Sequence, residues 1–201
     1  MEATITIERF SDANIEHYEQ LTKQGDDGKL CYCSFWHSKW SSMADYDQAK
    51  KDHPERLKAC VVERMHSHFH VGVIAYADGK PCAWVSVGPL TDFYWAWRRV
   101  GQLGDAARTV AAIICITRKT EARDRVTEAS LLSALVPYAK QQGWSAIEGY
   151  PFDRETLDAK GEAVTWPGFP EDFQKTGFVR SGDHWLNSPE YARSIYRFEL
   201  S

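Results

Sequence analysis

The sequence lacks any apolar run approaching the roughly 18 residues that cross a bilayer, and its opening stretch, MEATITIERF, has no long apolar centre of a secretory signal. A spanning or exported protein is thereby set aside, and the expected location is cytoplasmic. Positive charge is not in excess either: 24 Lys and Arg stand against 28 Asp and Glu, a formal net charge of −4. Nucleic acid and anionic membrane surfaces therefore have no electrostatic hold on the chain, and a small molecule is the better partner. Paired Cys-x-x-Cys spacing is missing as well. The five cysteines are odd in number, and Cys82 and Cys115 stand inside apolar runs where a thiol acts as a small hydrophobe. Free thiols in a reducing compartment follow. With no internal repeat, low-complexity tract or linker, the 201 residues read as one domain, 1–201.

What is present is strongly patterned. ATITIERF alternates as a strand does, and Ser11-Asp12 then offers an N-cap to a helix that carries Ile15, Tyr18 and Leu21 and stops at Gly25. Asp26 to Asp45 has no clear period, but Leu57, Val61 and Met65 at four-residue steps predict a helix beyond Pro54. VGVIAYADGKPCAWVSVGPL is a hairpin turned at Asp78-Gly79. After an irregular stretch, Thr91 to Thr109, the unbroken apolar run VAAIICIT predicts a central strand buried on both faces. A helix bearing Leu132, Leu135, Val136 and Ala139, with Pro137 inside it, leads through Gly143 to the strand SAIEGYPF, which is the crossover that sets two strands parallel. A short helix in GFPEDFQKTGF and two strands, FVRSGDHWL and RSIYRFEL, complete the chain.

This order, together with CYCSFW, AYADGKPCAWVSVGP, SLLSALVPYAKQQGWSAIEGYPFD and GFPEDFQKTGF, resembles the GNAT superfamily of N-acetyltransferases over essentially the whole chain. The resemblance implies an α/β (α+β) fold, a central mixed twisted sheet of about seven strands flanked by about four helices. It implies acetyl-CoA as cosubstrate and a small-molecule amine as acceptor, with homodimers common in the family. The pantetheine arm would lie along Cys115, Ile116 and Thr117 like an added strand, and the pyrophosphate would sit on the turn into the next helix. Family members write that turn with glycines. Here the junction RKTEARDRVT has none, and Arg123, Asp124, Arg125, Val126 and Thr127 align on it, with Asp124 and Val126 where small residues are usual. A shift of one residue instead matches Val126-Thr127 to a Gly-Val-Thr variant. A valine held at positive φ would cost about 1–3 kcal/mol, while Lys119, Arg123 and Arg125 keep the turn cationic. The resemblance also implies a general-acid Tyr where this chain has Phe173, leaving Tyr150 or Tyr138 to substitute. These two departures support an alternative: a CoA-independent protein of the same fold that binds, sequesters or hydrolyses a small molecule.

Glu148 and Asp153 flank Tyr150 in IEGYPFD, at the mouth of the strand after the crossover, where a carboxylate could take a proton from an amine. Glu148 is the first choice of base, and pairing with an Arg is its structural alternative. Asp92, Trp36 and Trp97 are the candidate acceptor contacts, through charge and cation–π attraction, unless Arg98-Arg99 neutralise Asp92. His66, His68 and His70 alternate and would share one side of an extended backbone, as a metal site can use; a solvated joint is the commoner outcome, and no metal is assigned. Cys31, Cys33 and His37 could likewise bind zinc or supply a nucleophile, but packing is the better reading of that spacing.

Overall fold

The computed structural model describes residues 4–23, 32–153, 155–156, 168–187 and 192–200. Seven strands form one sheet: β1 (Ile5–Arg9), β2 (Val73–Ala77), β3 (Lys80–Pro89), β4 (Val110–Arg118), β5 (Ala146–Gly149), β6 (Val179–Asp183) and β7 (Ser194–Glu199). Their spatial order is β1-β2-β3-β4-β5-β7-β6. Only β4 and β5 run parallel; every other neighbouring pair is antiparallel. The β2–β3 turn rests on the expected dipeptide, with Asp78 at φ 49° and Gly79 at φ 77°, the left-handed pair that a tight hairpin needs.

Six α-helices are described: α1 (Ile15–Lys23), α2 (Met43–Asp52), α3 (Pro54–His66), α4 (Trp97–Leu103), α5 (Glu128–Gln141) and α6 (Pro170–Lys175). The sequence reading expected about four. One difference is α2, which precedes the helix expected beyond Pro54; Pro54 has no N–H to donate and forces His53 out of helical angles, to φ −139° and ψ 57°, so the two are separate. The other is α4, none of whose residues is buried, so it carries no apolar stripe to read. Ser42 caps α2 by accepting the Asp45 N–H at 3.1 Å, and Thr127 caps α5 by accepting the Ser130 N–H at 3.1 Å.

β4 is the spine of the core. Ala111, Ile113 and Ile116 pack into a cluster with Leu131, Leu132 and Leu135 of α5, while Val110, Ala112 and Ile114 face a second cluster with Trp36, Phe93 and Tyr150. Burial on both faces is what the unbroken apolar run required. No described helix is long and apolar enough to cross a membrane.

Candidate active site

β4 parts from β5 halfway along its length. The parallel ladder runs only from Val110–Ile113 to Ala146–Gly149, whereas the pairing of β4 with β3 continues to Arg118. Within that second ladder Val87 faces Ile113 and Ser86 faces Cys115, so Ile114 is an extra residue, a β-bulge placed where the two strands separate. From Ile114 onward, one backbone edge of β4 has no strand beside it among the described residues. Cys115, Ile116 and Thr117 therefore occupy the position where an extended ligand could pair with the chain.

The same strand feeds the glycine-free junction. Thr120–Ala122 forms a 3₁₀ turn, and the amides of Arg123, Arg125 and Val126 donate inward, to Thr120 at 3.3 Å, Ala122 at 3.0 Å and Ala122 at 2.8 Å. The amides of Asp124, Thr127, Glu128 and Ala129 meet no acceptor among the described residues. They are the unpaired donors that a helix start offers an anion. The expected strain at Val126 is absent, because Val126 is not among the residues at positive φ. Its side chain instead packs, fully buried, in the cluster under α5, and Arg118 Nη1 donates to its carbonyl at 3.0 Å. Apolar packing inward and amides outward let the turn form without glycine. Arg125 reaches away to Asp78 on the hairpin at 2.6 Å, an exposed pair worth little. Val126→Gly is therefore expected to lower stability by about 2–4 kcal/mol through an unfilled core site and a looser backbone, without tightening cofactor binding. Urea denaturation of the variant checks the first part and calorimetry the second.

Glu128 is the first residue of α5 and is 3% exposed. One oxygen accepts from Arg118 Nη2 at 3.3 Å; the other has no partner at hydrogen-bond distance, although the Phe169 amide and the Asp172 carboxyl lie near enough to act on it. Burial above all, opposed by Arg118 and assisted by Asp172, raises its pKa to about 7. A Cβ on Gly168 would come 3.0 Å from its second oxygen and 3.3 Å from the Phe173 ring. Phe173 in turn lies against Gly149, where a Cβ would come within 2.1 Å of the ring. Glu128 and Phe173 thus stand between the end of β4 and the end of β5.

Glu148 is fully buried and ionically tied. Its two oxygens accept from Arg99 Nε at 3.0 Å, Arg99 Nη2, Arg197 Nη1 at 3.0 Å and the Tyr150 hydroxyl at 3.1 Å. Four donors leave no lone pair directed at an incoming ammonium, which is the geometry of an anchor rather than a base. Tyr150, 1% exposed, has committed its proton to Glu148, and burial holds its pKa well above the ordinary phenol value. Tyr138 is likewise committed, donating to His70 Nε2 at 2.7 Å, and burial pushes it up to about 12. Asp153 differs: one oxygen accepts from the Ser194 hydroxyl at 2.7 Å, and the second bonds to none of the described residues.

The other candidates scatter. Asp92 accepts the His70 N–H at 2.8 Å, and burial raises its pKa; Arg64 and Arg9 are the cations that act on it, while Arg99 goes to Glu148. Trp36 is buried beside Phe93 and Tyr150, whereas Trp97 is 59% exposed on α4 with the Arg98 guanidinium 5.1 Å from its ring. Asp92, Trp36 and Trp97 thus differ in partners and in exposure. His66 leaves toward Asp12, His68 takes φ 67°, and His70 turns inward to Val87 and Tyr138, so the three do not share a side. Among the described residues no group of three or more His, Cys, Asp or Glu could hold a metal ion. Cys31 lies outside the described residues; Cys33 adopts φ 51°, and His37 Nε2 meets the buried Ser86 hydroxyl at 3.1 Å. None of the four described cysteines forms a disulfide. The pairing of Arg99 and Arg197 with Glu148, and the role of Glu128, escaped the sequence reading because the partners lie ten or more residues away, and an acid in the first turn of a helix is ordinary.

No protein-family model and no curated protein sequence matches the chain. Solved structures do. An aminoglycoside N-acetyltransferase superposes with a TM-score of 0.55 at 14% identity, over 98% of this chain and 96% of the other. A protein from Desulfovibrio desulfuricans assigned to the GNAT acetyltransferases gives 0.54 at 12% identity, over 98% and 100%. One from Salmonella typhimurium, assigned as an acetyltransferase and solved with acetyl-CoA, gives 0.51 at 12% identity, over 98% and 94%. Identities this low carry the fold alone, and the fold they carry is the one described.

Proposed function

We propose that this chain, which has the GNAT fold, is an acyl-CoA-dependent N-acyltransferase that moves an acetyl group to a small amine by direct attack. The observation supporting this reading best is the bulge at Ile114 with the free β4 edge beyond it, leading straight into the unpaired amides at the start of α5. That arrangement fits a long, extended cofactor ending in phosphates. Acetyl-CoA, when bound, supplies an acyl thioester open to attack by an amine.

The chain's own groups then divide the work. The backbone of Cys115, Ile116 and Thr117 would hold the extended arm, and the segment Arg123–Thr127 with the Glu128 and Ala129 amides would hold the phosphates. Arg123 and Lys119 supply charge. Asp153, with one oxygen uncommitted, takes the ammonium proton in place of Glu148, directly or through water. Neither Tyr150 nor Tyr138 has a hydroxyl proton to spare, and Phe173 has none, so solvent water returns the proton to the departing thiolate. A reducing, cytoplasmic setting suits the cysteine chemistry.

One observation favours the CoA-independent reading instead: Glu128 and Phe173 stand between the ends of β4 and β5, and a carboxylate there opposes an incoming phosphate. Calorimetric titration with desulfo-CoA, without an acceptor, separates the two. Binding in the micromolar range, weakened by Arg123→Ala, is expected for the transferase. No heat at millimolar cofactor would turn the assignment to the CoA-independent reading.

A further inference from the structure

The connection between β6 and β7 carries two buried donors with no partner among the described residues. His184, 3% exposed, accepts the Leu186 N–H on Nδ1 at 3.1 Å, so its neutral ring carries the proton on Nε2, and Nε2 has no partner among the described residues. The indole N–H of Trp185 is also buried and without a partner there. The two rings stack with centroids 3.8 Å apart and 26° between their planes. Trp36 stands edge-on to His184 at 6.4 Å, and Tyr150 edge-on to both rings, at 5.1 Å from His184 and 4.9 Å from Trp185.

Buried N–H groups are almost always bonded, and each one left alone costs about 1–3 kcal/mol. Two neighbouring orphans in one aromatic box are a site awaiting an acceptor. The local field says what kind. Apart from burial, the influences that keep His184 neutral are the guanidiniums of Arg193 and Arg99, so the charges acting on the ring are cationic and suit an acceptor that is itself negative. Tyr150 and Glu148 tie one of its walls to the end of β5, where the sheet opens.

We propose that His184 and Trp185, walled by Trp36 and Tyr150, form a binding site for a small molecule bearing a carboxylate or similar oxyanion, held by the two ring N–H groups. This anion preference replaces the cationic-amine pocket expected around Asp92 and Trp97. If the transferase reading holds, on which this extension rests, the acceptor is an amine that also carries an acid group, an amino-acid-like molecule.

The test is an NMR titration of ¹⁵N-labelled protein with benzoate, benzyl alcohol and benzylamine, following the Trp185 and His184 ring N–H signals, assigned by their loss in Trp185→Phe and His184→Phe. Benzoate is expected to move both signals downfield and saturably, benzyl alcohol at least tenfold less tightly, and benzylamine not at all. Trp185→Phe, which keeps the stacking but loses one donor, should weaken benzoate about ten- to hundredfold. Signals that stay put in benzoate overturn the site, including signals already downfield because a fixed water satisfies them. Equal benzoate affinity of wild type and Trp185→Phe overturns it too. Benzoate binding without any coenzyme A binding would sink the transferase reading and leave this site standing; coenzyme A binding without benzoate binding would do the reverse.

Discussion

Acidification from pH 7 to about 4.5 is expected to unfold the protein steeply, well before its carboxylates have been neutralised. His37, His70 and His184 are all buried, and burial, first among the causes in each case, pushes their pKa values down to about 3, 4 and 3. In the unfolded chain each titrates near 6.5. Between those limits the unfolded state binds three protons that the folded state refuses. The stability they confer is whole above pH 6.5 and drains away as the pH falls. Glu128 works the other way: its pKa is raised to about 7, so the folded protein holds a proton that the unfolded chain releases above about 4.5. Its contribution is whole below that and is lost as the pH rises through 7. The balance near pH 5 is two protons taken up on unfolding, a slope of about 3 kcal/mol per pH unit. Against a typical total of about 5–15 kcal/mol, two pH units suffice to bring the fold to its limit. Urea midpoints by tryptophan fluorescence from pH 4.5 to 7.5 measure this, and a flat stability between 5 and 6.5 would mean that the three imidazoles are not held neutral by burial. Glu128→Gln should steepen the acid limb by about one proton.

Replacing Glu148 by Gln should destabilise the protein by about 3–5 kcal/mol, since it strands Arg99, only 15% exposed, without its counter-charge, while Arg197 keeps Glu199. Turnover should fall only as far as the folded fraction falls, most at acid pH, and turnover per folded molecule should keep the wild-type pH profile. Asp153→Asn should do the opposite, leaving the unfolding free energy from urea denaturation within about 0.5 kcal/mol while removing the rising limb of the pH–rate profile. Unchanged stability in Glu148→Gln together with a lost limb would restore Glu148 as the base. The paired measurement separates a group that holds the site from one that works in it.

The architecture was largely legible because its signals are local. The hairpin at Asp78-Gly79, the unbroken run of β4 and the stripe of α5 each follow from a few adjacent residues, and together they fix the crossover. The site was less legible for the same reason. That Glu148 is an anchor depends on Arg99 and Arg197, 49 residues away on either side. The turn into α5 shows a subtler limit: a missing glycine reads as a defect, yet Val126 finds an ordinary backbone conformation and a buried seat, so the sequence change altered how the turn is held without abolishing it. Nothing in GDHWL, read as a plain strand, disclosed two donors without acceptors.

The bulge at Ile114 has a consequence for solubility. A strand edge with unsatisfied amides and carbonyls normally invites another chain to add a strand, which is how sheets aggregate. Here the bare edge of β4 is interior to the sheet, in the gap between β4 and β5, and Arg118, Glu128 and Phe173 stand across that gap. An edge placed inside the sheet is less open to a strand from another copy than one at the sheet's rim.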